Sequence, residues 1–295
     1  MWRDVVFSNY SIPALAWCVR QITLFNALRW LVAALSLVTQ TACMTPKLNV
    51  ETVARSYGFQ RSLLAGEPFQ HVIYFNHLAD GDPRLHVYID NDGRPWLNRF
   101  LPAPDPTATH SLMLDLMRED RAPALYLGRP CYHGMARSSP CTAAWWTDAR
   151  YSETVVTSLA HAIENWRRKH PASHITLIGH SGGGTLAVLL ANRISGVDAV
   201  ITLAGNLDVE AWARYHRYSP LQASMDPAQL PSIDLHIYQW HYQGTHDRVV
   251  PGRITDRYFQ HNPRAERISI IDYGHKCCWA TIWPTILARL SSIGL

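Results

Sequence analysis

The stretch that most constrains the fold is HITLIGHSGGGTLAVLLANRI, residues 174–194. Its first six residues, HITLIG, are almost continuously apolar. That is the character of a strand buried on both faces, which belongs in a parallel sheet. TLAVLLANRI then reads as a helix. Between the two lie His180, Ser181 and three glycines, and a fourth glycine, Gly179, ends the strand. Parallel strands cannot be joined by a tight hairpin; they need a crossover, usually a helix. A strand that turns at once into a helix therefore argues for a layered α/β chain.

The surrounding sequence repeats this alternation. APALYLG (122–128) reads as a strand. Ser152 caps a helix running to about Arg168, with Val155, Val156, Leu159, Ile163 and Trp166 on one face. VDAVITLAG (197–205), LHIYQWHY (235–242) and RISIIDYG (267–274) read as further strands. VEAWARYHRY is partly helical. WATIWPTILARLSSI is a closing helix, bent or started near Pro284. HSLMLDLMRE, around 110–119, has helical spacing. Upstream, FQHVIYF (69–75) and LHVYID (85–90), joined by the turn LADGDPR, suggest an antiparallel pair. Residues 44–69 read as a polar entry segment. The expected architecture is one α/β domain over 43–295, with a mostly parallel central sheet flanked by helices on both faces and a small or absent cap. There is no repeat, low-complexity tract or linker.

The first 42 residues read separately. Arg20 and Arg29 precede the nine-residue apolar run WLVAALSLV (30–38), and TQTAC follows, ending at Cys43. A basic flank, a short apolar core and small residues describe a signal peptide. Nine apolar residues fall short of the roughly 20 that span a bilayer. Ahead of Cys43 the pattern resembles a bacterial lipobox. That resemblance implies lipidation of Cys43 and an exported chain held on a bacterial membrane by an N-terminal lipid anchor. A secreted soluble protein and a transmembrane anchor are the alternatives. Residues 1–18 fit no n-region, and initiation near Val19 would leave a tidier signal. Cleavage before Cys43 removes three arginines and one aspartate, lowering the formal charge from +4 to +2. The basic residues form no run of five, so a nucleic-acid partner is not expected. Export permits disulfides. Cys131 and Cys141 close a short loop and form the preferred pair. Cys277 and Cys278 are left as a vicinal pair or as free thiols. No CxxC or HxxxH spacing accompanies the cysteines, so no metal is expected, and nothing calls for a cofactor.

Gly179-His180-Ser181-Gly182-Gly183 matches G-x-S-x-G at a strand-to-helix junction, the context that gives this motif meaning. Glycine clears space for neighbouring backbone, and the turn lifts the serine hydroxyl above the strand ends. A P-loop would need a lysine before the Ser/Thr, and G-x-G-x-x-G cannot be registered here. The bland alternative is a tight turn without chemistry. A serine nucleophile needs a base and a group to orient that base. With fifteen histidines, position must decide. His275 follows the last strand and Asp247 the strand before it. Both leave the same sheet edge as Ser181 when the strands are parallel. Asp208, just beyond an earlier strand, is the rival acid. Asp272 is too near His275, His180 reads as a packing or hydrogen-bonding residue of the elbow and His246 as a loop residue. The oxyanion donors are expected at the Gly182 N–H and in the loop YIDNDGRPW, with the Asp92 N–H first and Asn91 second. Asp92-Gly93 is also an ordinary tight-turn signal.

IGHSGGG, GTHDRVVP and the late Gly274-His275 together resemble the α/β-hydrolase superfamily. GTHDRVVP is similar to its acid loop, which implies Asp247 as the acid in the order Ser, Asp, His. LHVYIDNDGRPW, YLGRPC, WWTDARYS, GHSGGG and AGNLD further resemble a group of bacterial α/β-hydrolase proteins, a resemblance that carries no substrate with it. Three readings follow. The first is a serine hydrolase of ester or related acyl bonds in small-molecule substrates. The second is a hydrolase-like scaffold that binds a ligand or partner without turnover. The third is thiol redox chemistry at Cys277-Cys278. Trp96, Tyr132, Trp145, Trp146 and Trp212 could line a site, but each serves a core equally well and none is given a binding role.

Overall fold

The computed structural model describes residues 49–76 and 81–295. Successive side chains on a strand point to opposite faces, and here both faces of the inner strands are apolar. In β3 (Arg84–Ile89), Leu85, Val87 and Ile89 join one buried cluster and Tyr88 the other. In β5 (His174–His180), Ile175 and Leu177 join the first and Ile178 the second. Such strands must be covered twice. The helices α3 (Glu153–Arg167) and α4 (Gly182–Ala191) pack into the first cluster, and α1 (Val50–Ser56), α2 (Leu112–Met117) and α7 (Trp279–Ser292) into the second. Ser152 caps α3, accepting a hydrogen bond from the Val155 N–H at 3.4 Å.

The remaining elements are β1 (Gln60–Ala65), β2 (Gln70–Phe75), β4 (Ala124–Leu127), β6 (Val197–Leu203), α5 (Val209–His216), β7 (Tyr238–Gly244), α6 (Asp256–His261) and β8 (Glu266–Ile270). The eight-stranded sheet has the order β1-β2-β4-β3-β5-β6-β7-β8. β1 and β2, and β2 and β4, pair antiparallel; every other neighbouring pair is parallel. The carboxyl ends of β5, β7 and β8 therefore lie along one edge, and the loops that leave them meet there.

Several expectations need correction. β2 and β3 are not paired: β4 lies between them, and β3 pairs parallel with both β4 and β5. The Asp/Gly/Pro turn suggests a hairpin, but a turn fixes a change of direction and not a partner. The entry segment holds α1 and β1. Asn49 caps α1 by accepting from the Thr52 N–H at 2.8 Å. β1 is an edge strand whose residues are all exposed except Leu64, so it carries no apolar alternation. β7 starts at Tyr238 and β8 ends at Ile270. α7 starts at Trp279, and Pro284 lies inside it. The expected signal peptide of residues 1–42 and the lipidation site Cys43 lie outside the described residues. Among the described residues no helix is long and apolar enough to cross a membrane.

Candidate active site

The glycines around Ser181 are required by close backbone approach. A Cβ at Gly179 would strike the Gly183 carbonyl, and one at Gly183 would strike the carbonyl of Ile89 on the neighbouring strand. Only glycine lets α4 begin so near the end of β5. Ser181 itself has φ 55° and ψ −120°, a conformation costly for a side chain with Cβ. Its N–H donates to Leu203 at 3.0 Å, and its carbonyl accepts from Gly184 at 3.0 Å and Asn206 at 3.2 Å. The strained residue is thus held by β6 and α4.

His275 and Asp247 stand beside it. The His275 Nε2 lies 2.9 Å from the Ser181 Oγ, and its Nδ1 lies 2.8 Å from the Asp247 Oδ2. A carboxylate opposite Nδ1 places the proton there, which leaves Nε2 as the acceptor facing Ser181. The other Asp247 oxygen accepts from the N–H groups of Val249 and Val250, each at 2.8 Å. The Asp247 side chain is fully buried, and that of His275 is 10% exposed. The two loops are stitched together: the His246 N–H donates to the Tyr273 carbonyl at 2.9 Å, and the Thr245 N–H to that of Ile270 at 3.0 Å. The His275 carbonyl accepts from the His180 Nε2–H at 2.9 Å and the Trp279 Nε1–H at 3.1 Å. His180 therefore braces the histidine loop. Burial, with the His275 ring adding to it, pushes the His180 imidazole down to about 4.

Asp208 is not part of this chain of contacts. Its carboxylate caps α5, accepting from the Ala211 N–H at 2.8 Å, and is gripped by Arg257 at 2.6 and 2.8 Å. His246 and Asp272 are exposed and face one another at 3.7 Å.

Asp92 lies on the other side of Ser181. Its carboxylate receives Arg129, Arg150 at 3.0 Å, and the Tyr151 hydroxyl at 2.8 and 2.7 Å. Both guanidinium side chains are almost wholly buried. Burial alone would raise the Asp92 carboxyl, but the charges of Arg129 and Arg150, with the Tyr151 hydrogen bond, hold it well below the usual carboxylate range. The Asp92 carbonyl accepts from the Tyr132 hydroxyl at 2.9 Å. A Cβ on Gly182 would strike the Asp92 carboxylate and the Tyr151 hydroxyl, so the two candidate donors pack against each other. The Asn91 N–H is already given to the Asp90 carboxylate at 2.8 Å. Among the described residues the Asp92 and Gly182 N–H groups have no hydrogen-bond partner.

Sequence reasoning gave no role to Arg129, Arg150 or Tyr151. The signal was present, however: YLGRPC contains Arg129, WWTDARYS contains Arg150 and Tyr151, and both converge on the Asp92 of LHVYIDNDGRPW. Cys131 and Cys141 are joined, with Cα atoms 5.6 Å apart, and close the loop that follows Arg129. Cys277 and Cys278 are joined to each other beside the His275 loop. Tyr132 and Trp146 are buried, whereas Trp96 is exposed.

No family model matches the sequence, and no curated protein matches it. Solved structures do. A puromycin-hydrolysing peptidase of Mycobacterium tuberculosis superimposes with a TM-score of 0.55 at 13% identity, over 78% of this chain. The chain spans only 38% of that peptidase's length. An esterase of Pyrococcus furiosus gives 0.52 at 12% identity, covering 81% of this chain and 92% of its own. An α/β serine hydrolase without lid from Xanthomonas campestris gives 0.50 at 13% identity, covering 79% and 92%. At these identities the likeness is one of fold.

Proposed function

We propose, from the premise that this chain has the α/β-hydrolase fold, that it is a serine hydrolase of ester or related acyl bonds. The observation that carries the reading is the unbroken chain from the Ser181 Oγ through His275 to Asp247, at 2.9 and 2.8 Å, on a strained strand-to-helix turn. Ser181 attacks the acyl carbonyl while the His275 Nε2 takes its proton. Asp247 fixes the ring's tautomer and stabilises the imidazolium that forms. His275 then gives the proton to the leaving group, which departs and leaves an acyl-enzyme. Water, deprotonated by the same histidine, releases the acid. The negative oxygen of each tetrahedral intermediate is received by the N–H groups of Gly182 and Asp92. Both are free of other partners among the described residues, which supports this assignment.

A fluorophosphonate probe tests the reading. The protein is expected to be labelled, and Ser181→Ala to fold normally and lose both labelling and turnover of p-nitrophenyl esters, the latter by about four orders of magnitude or more. A wild-type protein that neither labels nor turns over esters would favour a binding scaffold without catalysis. Near-normal turnover in Ser181→Ala would remove the mechanism.

A further inference from the structure

Four large apolar side chains stand in water on one short turn. Trp96, Leu97, Phe100 and Leu101 are 42%, 57%, 91% and 53% exposed. Single exposed apolar residues are ordinary; a cluster of this kind marks an interaction surface. The turn is also braced. Trp96 and Pro102 form an antiparallel bridge. The Leu97 N–H donates to the Leu101 carbonyl, and the Ala103 N–H to that of Pro95, each at 2.9 Å. The Asn98 side-chain oxygen accepts from the N–H groups of Phe100 at 2.9 Å and Leu101 at 3.0 Å. Much of the turn's backbone polarity is thus satisfied internally, and the exposed tip is left to apolar side chains.

Its charge is one-sided. Arg94 and Arg99 are exposed and have no ion-pair partner among the described residues, and no acidic residue occurs from Gly93 to Pro104. A tip of Phe and Leu, an adjoining Trp and two unpaired arginines match the layers of an anionic bilayer. The apolar groups enter the acyl boundary, the indole sits among the headgroups and the guanidiniums meet phosphate. The expected lipidation site points the same way. Cys43 precedes Asn49 by six residues, a reach of about 20 Å at full extension, so an anchored chain is kept close to a membrane.

We infer that residues 94–103 form a docking turn for an anionic lipid surface. The turn leaves the body at Asp92-Gly93 and returns where the Arg94 N–H meets the Pro106 carbonyl at 2.7 Å. Docking therefore places lipid beside the corner that carries the Asp92 N–H. The inference does not depend on turnover, because binding is read on an inactive chain.

The test uses the full chain carrying Cys43→Ser and Ser181→Ala, which removes both lipidation and hydrolysis. Its partitioning is measured on vesicles of phosphatidylcholine alone and of equimolar phosphatidylcholine and phosphatidylglycerol. It is expected to favour the anionic vesicles, with binding that weakens as salt is raised. Adding Leu97→Asp and Phe100→Asp should cut binding to both vesicle types by about tenfold or more. Adding Arg94→Gln and Arg99→Gln should cut binding by about tenfold on anionic vesicles alone. Hydrogen exchange should slow within 94–103 when vesicles are added. Because the four substituted side chains of the turn are all exposed, unfolding is not expected, and an unchanged melting temperature checks this. Failure of the parent to bind vesicles overturns the inference, and so does binding by the two-aspartate variant equal to the parent's. A parent that dimerises in solution while the two-aspartate variant does not would assign the turn to a second copy of the chain, and would overturn it too.

Discussion

The two sides of Ser181 are built differently. On the base side, functional side chains touch the nucleophile directly, and the groups bracing them are backbone amides and neutral rings: Val249 and Val250 on Asp247, His180 and Trp279 on His275. On the proposed oxyanion side only the backbone N–H groups of Gly182 and Asp92 are offered to the reaction. The Asp92 side chain is turned to two buried guanidiniums and a tyrosine. The difference suits the charges that develop in the acyl transfer proposed above. His275 becomes positive, and the single carboxylate of Asp247 stands behind it. The substrate oxygen becomes negative, and the Asp92 cage behind its donors carries two cations against one anion. Each side thus offers the sign that its transition state needs, fixed before the reaction begins.

The comparison breaks most visibly at the acid. Asp247→Asn should lower kcat by about three to four orders of magnitude, because the histidine loses the group that selects its tautomer. Asp208→Asn should leave kcat within about threefold and instead lower the melting temperature, since that carboxylate caps α5 and binds Arg257. Steady-state kinetics and thermal unfolding of the two variants decide the matter, and the reverse ranking would move the acid to Asp208.

A smaller effect is expected across the elbow. Arg150→Met removes one cation of the cage and one of the ties on Asp92 while Arg129 and Tyr151 remain. The oxyanion exists only in the transition state, so kcat should fall by about ten- to a hundredfold with KM within about twofold. The fluorophosphonate labelling rate should fall in parallel. An unchanged kcat, or a loss confined to KM, would mean that the cage is scaffolding without influence on the reaction.

This asymmetry also explains what the sequence revealed. The meeting of Ser181, Asp247 and His275 was legible because the proposed chemistry demands particular residue types in loops at one sheet edge, and each of the three follows a recognisable strand. The cage was not legible. Asp92 and Arg129 are 37 residues apart, and Asp92 and Arg150 are 58 apart. Aspartate and arginine in loops read by default as solvated charges, and nothing local says that these are buried together. The strand order was partly hidden for a related reason. Apolar runs disclose that β2 and β3 are strands, but pairing depends on which neighbour covers each edge. The exposed edge strand β1 offered no pattern at all.

The finest test of the comparison is whether the base side is free of a second buried cation, since the neighbouring Lys276 is exposed. His180 lies with its ring centre 5.1 Å from that of His275. Its Nε2–H is committed to the His275 carbonyl, which leaves Nδ1 as the basic nitrogen, and that atom is buried without a partner. A proton there would be buried with no acceptor and beside the His275 ring, in keeping with a pKa pushed down to about 4. The linkage follows in sign. In the unfolded chain this histidine takes a proton near pH 6.5, whereas in the folded chain it takes none until about 4. Between those values the unfolded state binds more protons. The contribution of His180 is therefore complete above pH 6.5 and is lost as pH falls toward 4, by about 1 kcal/mol per pH unit. His180→Gln can keep the donor to the His275 carbonyl and cannot titrate. Urea unfolding at pH 7, 6 and 5 should show wild type losing about 1 kcal/mol more per unit than this variant across the lower part of that range. Parallel slopes would mean that His180 accepts a proton in the folded protein. A cation would then stand beside the imidazolium of the reaction, and the division of charge between the two sides of Ser181 would not hold.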